Sequence, residues 1–228
     1  MREIILDTET TGLDPITGHR IIEIGCVEII NRVKTGKFFH KYINPRRDVP
    51  LEAFRVHGLS TEFLKDKPFF EDVAQEFIDF IGDANLVIHN AKFDMRFLNH
   101  ELALAGKEQI EFSRAIDTLL IARKKFPGSP ASLDALCKRF GVSLDSRTKH
   151  GALLDSELLY EVYFELCGGS QNKMEFSYSS YQKNIYTNIE NSQSIKILEK
   201  RKPQITEQEL EEHKEFLKKL KNPLWESI

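Results

Sequence analysis

Asp7 and Glu9 stand one residue apart at the end of the apolar stretch that opens ILDTETTG, Ile5 to Gly12. Side chains two apart on a strand share a face, so the two carboxylates converge. They repel each other unless something positive lies between them. An isolated D-x-E is most often a pair of solvated acids in a turn, so the weight falls on matching acids elsewhere. HNAKFD places Asp94 in the first turn of a helix after the strand LVIHN, a position that capping and helix-dipole acids also favour. Asp155, in GALLDSELLYEVYFEL, shares its helix side with Leu154, Leu158 and Val162. An acid beside an apolar face is costly without a partner, so Asp155 points to a ligand more strongly than Asp94 does. On one continuous helix His150 would lie roughly 140° from Asp155. Gly151 intervenes and sets His150 in the loop entering the helix, where it can swing toward a water held near the acids. Acids gathered beside a histidine point to cation binding and proton transfer.

The elements that must position these residues are readable from periodicity. EIILD has the continuous apolar character of a central strand, and HRIIEIGCVEII and KTGKFFHKYIN follow as antiparallel strands, with Asn31 and Gly36 as turn formers near their junction. Phe70, Val73, Ala74, Phe77, Ile78 and Ile81 recur at helical spacing. LVIHN reads as a fourth strand, AKFDMRFLNHELALAG as a helix closed by Gly106, and RAID as a fifth strand. TLLIARKKF, SLDALCKRF and GALLDSELLYEVYFEL supply three more helical segments, with Asp117 of AIDTLL as a structural helix cap. Three strands in sequence followed by alternating helices and strands predict an α/β domain: a mixed sheet of about five strands with helices on both faces.

Bulk properties narrow the class without choosing a function. The 228 residues are 41% hydrophobic and 29% charged, enough for one well-buried domain plus extra segments. No apolar run has the length of a membrane span or the look of a secretion signal, and MREIILDTETTG enters the fold at once, so the expectation is a cytoplasmic protein with no membrane partner. Cys26, Cys137 and Cys167 are few and widely spaced, which predicts free thiols rather than a disulfide framework. A net charge of -3 neither marks nor excludes a nucleic-acid binder.

DTETTG, HNAKFD and HGALLD resemble the three motifs of the DEDD 3'–5' exonucleases, in the subtype with a motif-three histidine. The likeness extends through VHGLSTEFLKDKPFF, SLDALCKRF and LLDSELLYEVYFELCGG, covers residues 1–169 in order, and is strongest toward the proofreading exonucleases of bacterial replication. It implies a ribonuclease H-like exonuclease fold. It also implies that Asp7, Glu9, Asp94 and Asp155 hold two divalent metal ions, Asp7 bridging both, with His150 as general base. Oxygen ligands suit Mg²⁺ or Mn²⁺ better than zinc. Such a pair can activate water, neutralise the phosphate and stabilise the leaving 3'-oxygen. Carried over to the terminal nucleotide are Asp7, Glu9, Thr10, Gly12, Glu52 and His57, with Asn90 and Phe93 beside them. Phe93 fits base stacking and core packing about equally. The implied substrate is a DNA 3' end, single-stranded or frayed, because an unpaired terminus costs less to deliver. A related exonuclease that trims RNA is the closest rival, and a non-catalytic adaptor the more distant one.

Composition shifts at Gly168-Gly169, which divides the chain into a domain over 1–169, a flexible linker over 170–204 and a helical tail over 205–228. Gln171, Met174 and Phe176 form a Q-x-x-M-x-F pattern similar to a sliding-clamp docking peptide. Thr206 and Glu209 fit a capping box after Pro203, and Leu210, Leu217, Leu220 and Leu224 follow roughly on one face. Leu224 and Trp225 are the anchors by which the resemblance implies binding to the polymerase (alpha) subunit. A small theta-like subunit is a further implied partner.

Overall fold

The computed structural model describes residues 1–144, 149–169 and 206–219. The chain divides into two units, Met1–Lys173 and Met174–Ile228. The first unit is built on a five-stranded sheet in the order β3-β2-β1-β4-β5, comprising β1 (Arg2–Thr10), β2 (Ile21–Ile30), β3 (Val33–Tyr42), β4 (Asn85–Ile88) and β5 (Ala115–Asp117). β1, β2 and β3 pair antiparallel, whereas β4 runs parallel to β1 and β5 parallel to β4. The sheet is therefore mixed, as the order of segments predicts.

One turn assignment needs correction. Asn31 and Arg32 alone make the β2–β3 turn, both with positive φ (51° and 68°), as a two-residue hairpin requires. Gly36 lies inside β3 instead. Its φ is 85°, and the pairing jumps there from Val27–Phe38 to Ile29–Lys34, so the glycine serves a bulge.

The helices of this unit are α1 (Leu51–His57), α2 (Thr61–Leu64), α3 (Phe70–Ile81), α4 (Ala91–Leu104), α5 (Thr118–Lys125), α6 (Leu133–Phe140) and α7 (Ala152–Leu166). Alternation along β1 sends its apolar residues to two cores. Ile4 and Leu6 join Leu86 and Ile88 of β4 beneath Phe77 of α3 and Met95 and Leu98 of α4. Ile5 joins Val87, Leu159 and Tyr163 beneath α7. A third cluster, with Leu136, Cys137, Val162 and Leu166, binds α6 to α7. Helices thus cover both faces, and Cys26, Cys137 and Cys167 are free thiols.

In the second unit, α8 (Glu207–Lys218) starts as the capping box predicts. The Thr206 hydroxyl accepts from the Glu209 amide at 3.3 Å, and the Glu209 carboxylate accepts from the Thr206 amide at 2.9 Å. Leu210 is exposed and Leu217 half-buried. The 170–204 linker, the Gln171–Met174–Phe176 pattern, Leu220, Leu224 and Trp225 lie outside the described residues. Among the described residues no helix is long and apolar enough to cross a membrane.

Candidate active site

The site grows from the C-terminal end of β1. Asp7 pairs with Gly25 and Glu9 with Glu23 across the antiparallel β1–β2 ladder, so both acids face the α7 side. Gly25 is what admits α7. A Cβ there would stand 2.2 Å from the carbonyl carbon of Ala152 and 2.3 Å from the amide nitrogen of Leu153. With only a hydrogen in that place, the first turn of α7 rests on the sheet, and the Ser156 hydroxyl donates to the Gly25 carbonyl oxygen at 2.9 Å. Asp155, buried in the same turn, is thereby set beside Asp7. Gly25→Ala is expected to cost about 1–3 kcal/mol through overpacking against backbone. It should lower activity by more than the loss of folded protein explains, because Asp155 moves with the helix. Thermal denaturation and turnover on single-stranded DNA together check this.

Asp94 arrives from the opposite face, in the first turn of α4. The Thr8 hydroxyl, on the α4 side of β1, donates to Oδ1 of Asp94 at 2.6 Å. The entry to α4 is held by Asp117. Its carboxylate caps α5 by accepting from the amides of Leu119 (2.9 Å) and Leu120 (3.3 Å), as expected from sequence, and it also accepts from Asn90 (3.3 Å) and Ala91 (3.1 Å). One side chain therefore ties the starts of two helices together. Asn90 takes a left-handed backbone, φ 69°, which asparagine tolerates better than most residues.

These carboxylates are electrostatically uncomfortable. Burial, reinforced by Asp94, Glu9, Asp155 and Glu23, holds the Asp7 carboxyl well above the usual range. Asp94 is pushed up to about 7, mainly by burial, even though hydrogen bonds from Thr8 act in the other direction. The N-terminal ends of α4 and α7, where Asp94 and Asp155 sit, offset part of the charge. Ligand atoms of Glu9, His150 and Asp155 all lie within 4.8 Å of one another, and His150 Nδ1 is 3.1 Å from Asp155 Oδ2. His150 precedes α7, in the loop position its spacing predicts. Convergent carboxylates whose charges oppose the ionisation of Asp7 are the donor set a hard divalent cation relieves.

Two adjoining cavities open here, of about 680 Å³ and about 500 Å³. Asp7, Glu9, Asn90, Phe93, Asp94, His150 and Asp155 line the larger. Glu9, Thr10, Gly12, Glu52, His57 and Phe93 line the smaller. Thr8, Glu9 and Phe93 belong to both, so every described candidate from the sequence faces one connected space. Thr10 and Gly12 shape the turn as well, since the Thr10 hydroxyl donates to the Gly12 carbonyl at 2.7 Å. Phe93 packs on Phe97 at 5.0 Å between centroids and borders both cavities.

Sequence reasoning missed several contributors. Thr8 was readable as a polar residue between the two acids. Glu23, buried at 3% exposure, sits opposite Glu9, with His40 Nε2 2.7 Å from its Oε1. Only strand register reveals it. Arg123, Ser129 and Ser132 on the far wall of the larger cavity carry no sequence signal of their own.

A model of the exonuclease family matches residues 4–163. The DNA polymerase III subunit epsilon of Rickettsia felis is 55% identical over 221 residues, covering 95% of this chain and 96% of that one. The subunit of the same name from Escherichia coli is 51% identical over 183 residues, covering 77% and 75%. Among solved structures, exonuclease X in complex with 5' overhanging duplex DNA superposes with a TM-score of 0.59 at 27% identity, covering 74% of this chain and 92% of that one. The nuclease domain of a DEDDh 3'-exonuclease bound to rAMP superposes with a TM-score of 0.62 at 20% identity, covering 75% and 94%. The second likeness concerns the ribonuclease H-like fold alone. With the family match spanning the whole sheet and relatives aligned nearly end to end, the chain belongs to the exonuclease family, as a 3'–5' exonuclease within the epsilon-subunit branch.

Proposed function

We propose that this chain removes mispaired 3'-terminal nucleotides from DNA during replication, as the proofreading partner of a DNA polymerase III, and that it acts in the cytoplasm. The observation that carries this reading is the convergence of Asp7, Glu9, Asp94, His150 and Asp155 on one cavity at the end of β1, in a chain so similar to epsilon subunits. Bound at Asp7, Glu9, Asp94 and Asp155, two Mg²⁺ or Mn²⁺ ions would neutralise the phosphate, acidify the attacking water and stabilise the leaving 3'-oxygen.

The protein side of the reaction follows from its own contacts. Thr8 orients the Asp94 carboxylate, and Gly25 sets Asp155 beside Asp7. With His150 Nδ1 directed at Asp155, Nε2 is the nitrogen that takes the proton from water. His57 Nδ1 accepts from the Leu59 amide at 3.0 Å, so Nε2 carries the hydrogen and is a donor. That buried Nε2 has no partner among the described residues. Beside Glu52, Thr10 and Gly12 it fits the sugar and phosphate of the terminal nucleotide, and the Phe93 ring fits its base. Selection of mispaired ends then comes from fraying, since an unpaired terminus costs less to deliver to the site.

The test is hydrolysis of matched, mismatched and RNA 3' ends at equal salt. Faster removal of the mismatched DNA end is the expected result, and preference for RNA would transfer the chain to an RNA-trimming role. Partner binding is assigned to the polymerase III alpha subunit through 205–228, including Leu224 and Trp225, and to the sliding clamp through Gln171, Met174 and Phe176. A small theta-like subunit belongs to the same assembly. Deleting 205–228 is expected to abolish co-purification with the alpha subunit while leaving hydrolysis of single-stranded DNA within about twofold, because anchor residues dominate such interfaces. Unchanged co-purification would remove the tail assignment.

A further inference from the structure

The loop that carries His150 is seated on the C-terminal end of α1. The backbone N–H of His150 donates to the Val56 carbonyl at 3.3 Å, one of the last carbonyls of α1, which have no partner within their own helix. One residue earlier, the Lys149 ammonium lies 5.0 Å from the centre of the Phe54 ring. Gly58 completes the seat. It closes α1 with φ 76° and donates its N–H to the Phe54 carbonyl at 2.7 Å, and a methyl group on it would stand 2.5 Å from Lys149 Cδ. The same short helix presents Glu52 and His57 to the smaller cavity.

We infer that Phe54, Gly58 and Lys149 are positioning residues for His150, and that α1 couples occupation of the nucleotide cavity to the placement of the base. This rests on His150 being that base. The backbone bond and the Lys149–Phe54 contact bracket His150 on its N-terminal side, while Asp155 holds its ring from the other. A ligand that satisfies the unpartnered Nε2 of His57 restrains α1, and with it the carbonyl to which His150 is bonded. Placement matters because proton transfer requires hydrogen-bond reach, and small displacements are costly in rate. Lys149 is also a cation one residue from the proposed base, so direct phosphate binding is the competing role for it.

Turnover of a short single-stranded DNA by the full chain with Mn²⁺ separates the two. Phe54→Ala and Lys149→Ala are each expected to lower kcat about fivefold with KM within about twofold, and the double variant to be no worse than either, as for one shared contact. Phe54→Trp, which keeps an aromatic face under the ammonium, restores kcat. Lys149 is exposed, so Lys149→Ala reads the effect without threatening the fold, and melting temperatures identify any loss of α1 in Phe54→Ala. The inference is overturned if Lys149→Ala raises KM at unchanged kcat, if the two single effects multiply, or if neither changes kcat. His150→Ala is the control for the underlying reading. Should it retain full kcat, His150 is not the base; should it be inactive while the other variants are normal, only the coupling through α1 fails.

Discussion

Asp7→Asn is expected to yield a folded protein whose turnover falls by about a thousandfold or more, since several kcal/mol of charge stabilisation are lost at 1.36 kcal/mol per tenfold. The same substitution should make the metal-free protein more stable. Asp7 is half-buried, and Asp94, Glu9, Asp155 and Glu23 all oppose its charge. A neutral amide of the same shape removes one repelling carboxylate and brings donors toward the others. Each kcal/mol recovered would raise the melting temperature by about 2–4 °C in a chain of this size. Calorimetry in chelator, beside an exonuclease assay with Mg²⁺ or Mn²⁺, reads both effects. Activity within tenfold of the parent, or a metal-free variant less stable than the parent, would refute the view of Asp7 as the hub of a cation site.

The second large effect is a pH dependence that metal reverses. Asp94 titrates at about 7 in the folded protein against an ordinary value of 3.8. Between those values the folded state holds a proton that the unfolded state has lost, so stability falls as pH rises through that window and levels off above it. Asp7, also raised, adds to the fall. Divalent cations bind the deprotonated carboxylates, release their protons and bind more tightly as pH rises. In chelator, the melting temperature is therefore expected to drop from about pH 4 to about pH 7. Saturating Mn²⁺ should abolish the drop, adding about 2.7 kcal/mol when its concentration is a hundred times the dissociation constant. Asp94→Asn should flatten the metal-free profile. A parent profile that is flat in chelator, or unaltered by Mn²⁺, would count against a shared cation site.

These expectations differ in how far the sequence alone reaches them. The convergence of Asp7 with Glu9, the first-turn place of Asp94, the loop position of His150 and the capping box at Thr206 all follow from strand and helix periods over a few residues. Those local geometries hold in almost any fold, so the residue types and spacing determined them. The sheet with helices on both faces was legible as well, because a continuous apolar run such as EIILD must be covered on both sides.

What the tertiary structure decided is where those local pieces meet. Register placed Glu23 opposite Glu9 and Gly25 opposite Asp7, and only the docking of α7 shows why Gly25 bears no side chain. The short helices α1 and α2 carry too little apolar period to be read from sequence, yet α1 delivers Glu52 and His57 to one cavity and seats His150 beside the other. Asp94 reaches the site from the face opposite Asp7 because strand-end loops bring both helix N-termini to the same edge of the sheet. Such placements depend on pairings between residues far apart in the chain, and each raises the cost of burying the others' charge. No single segment could announce them, because the energy that defines the site, mutual repulsion awaiting a cation, exists only once the segments are assembled.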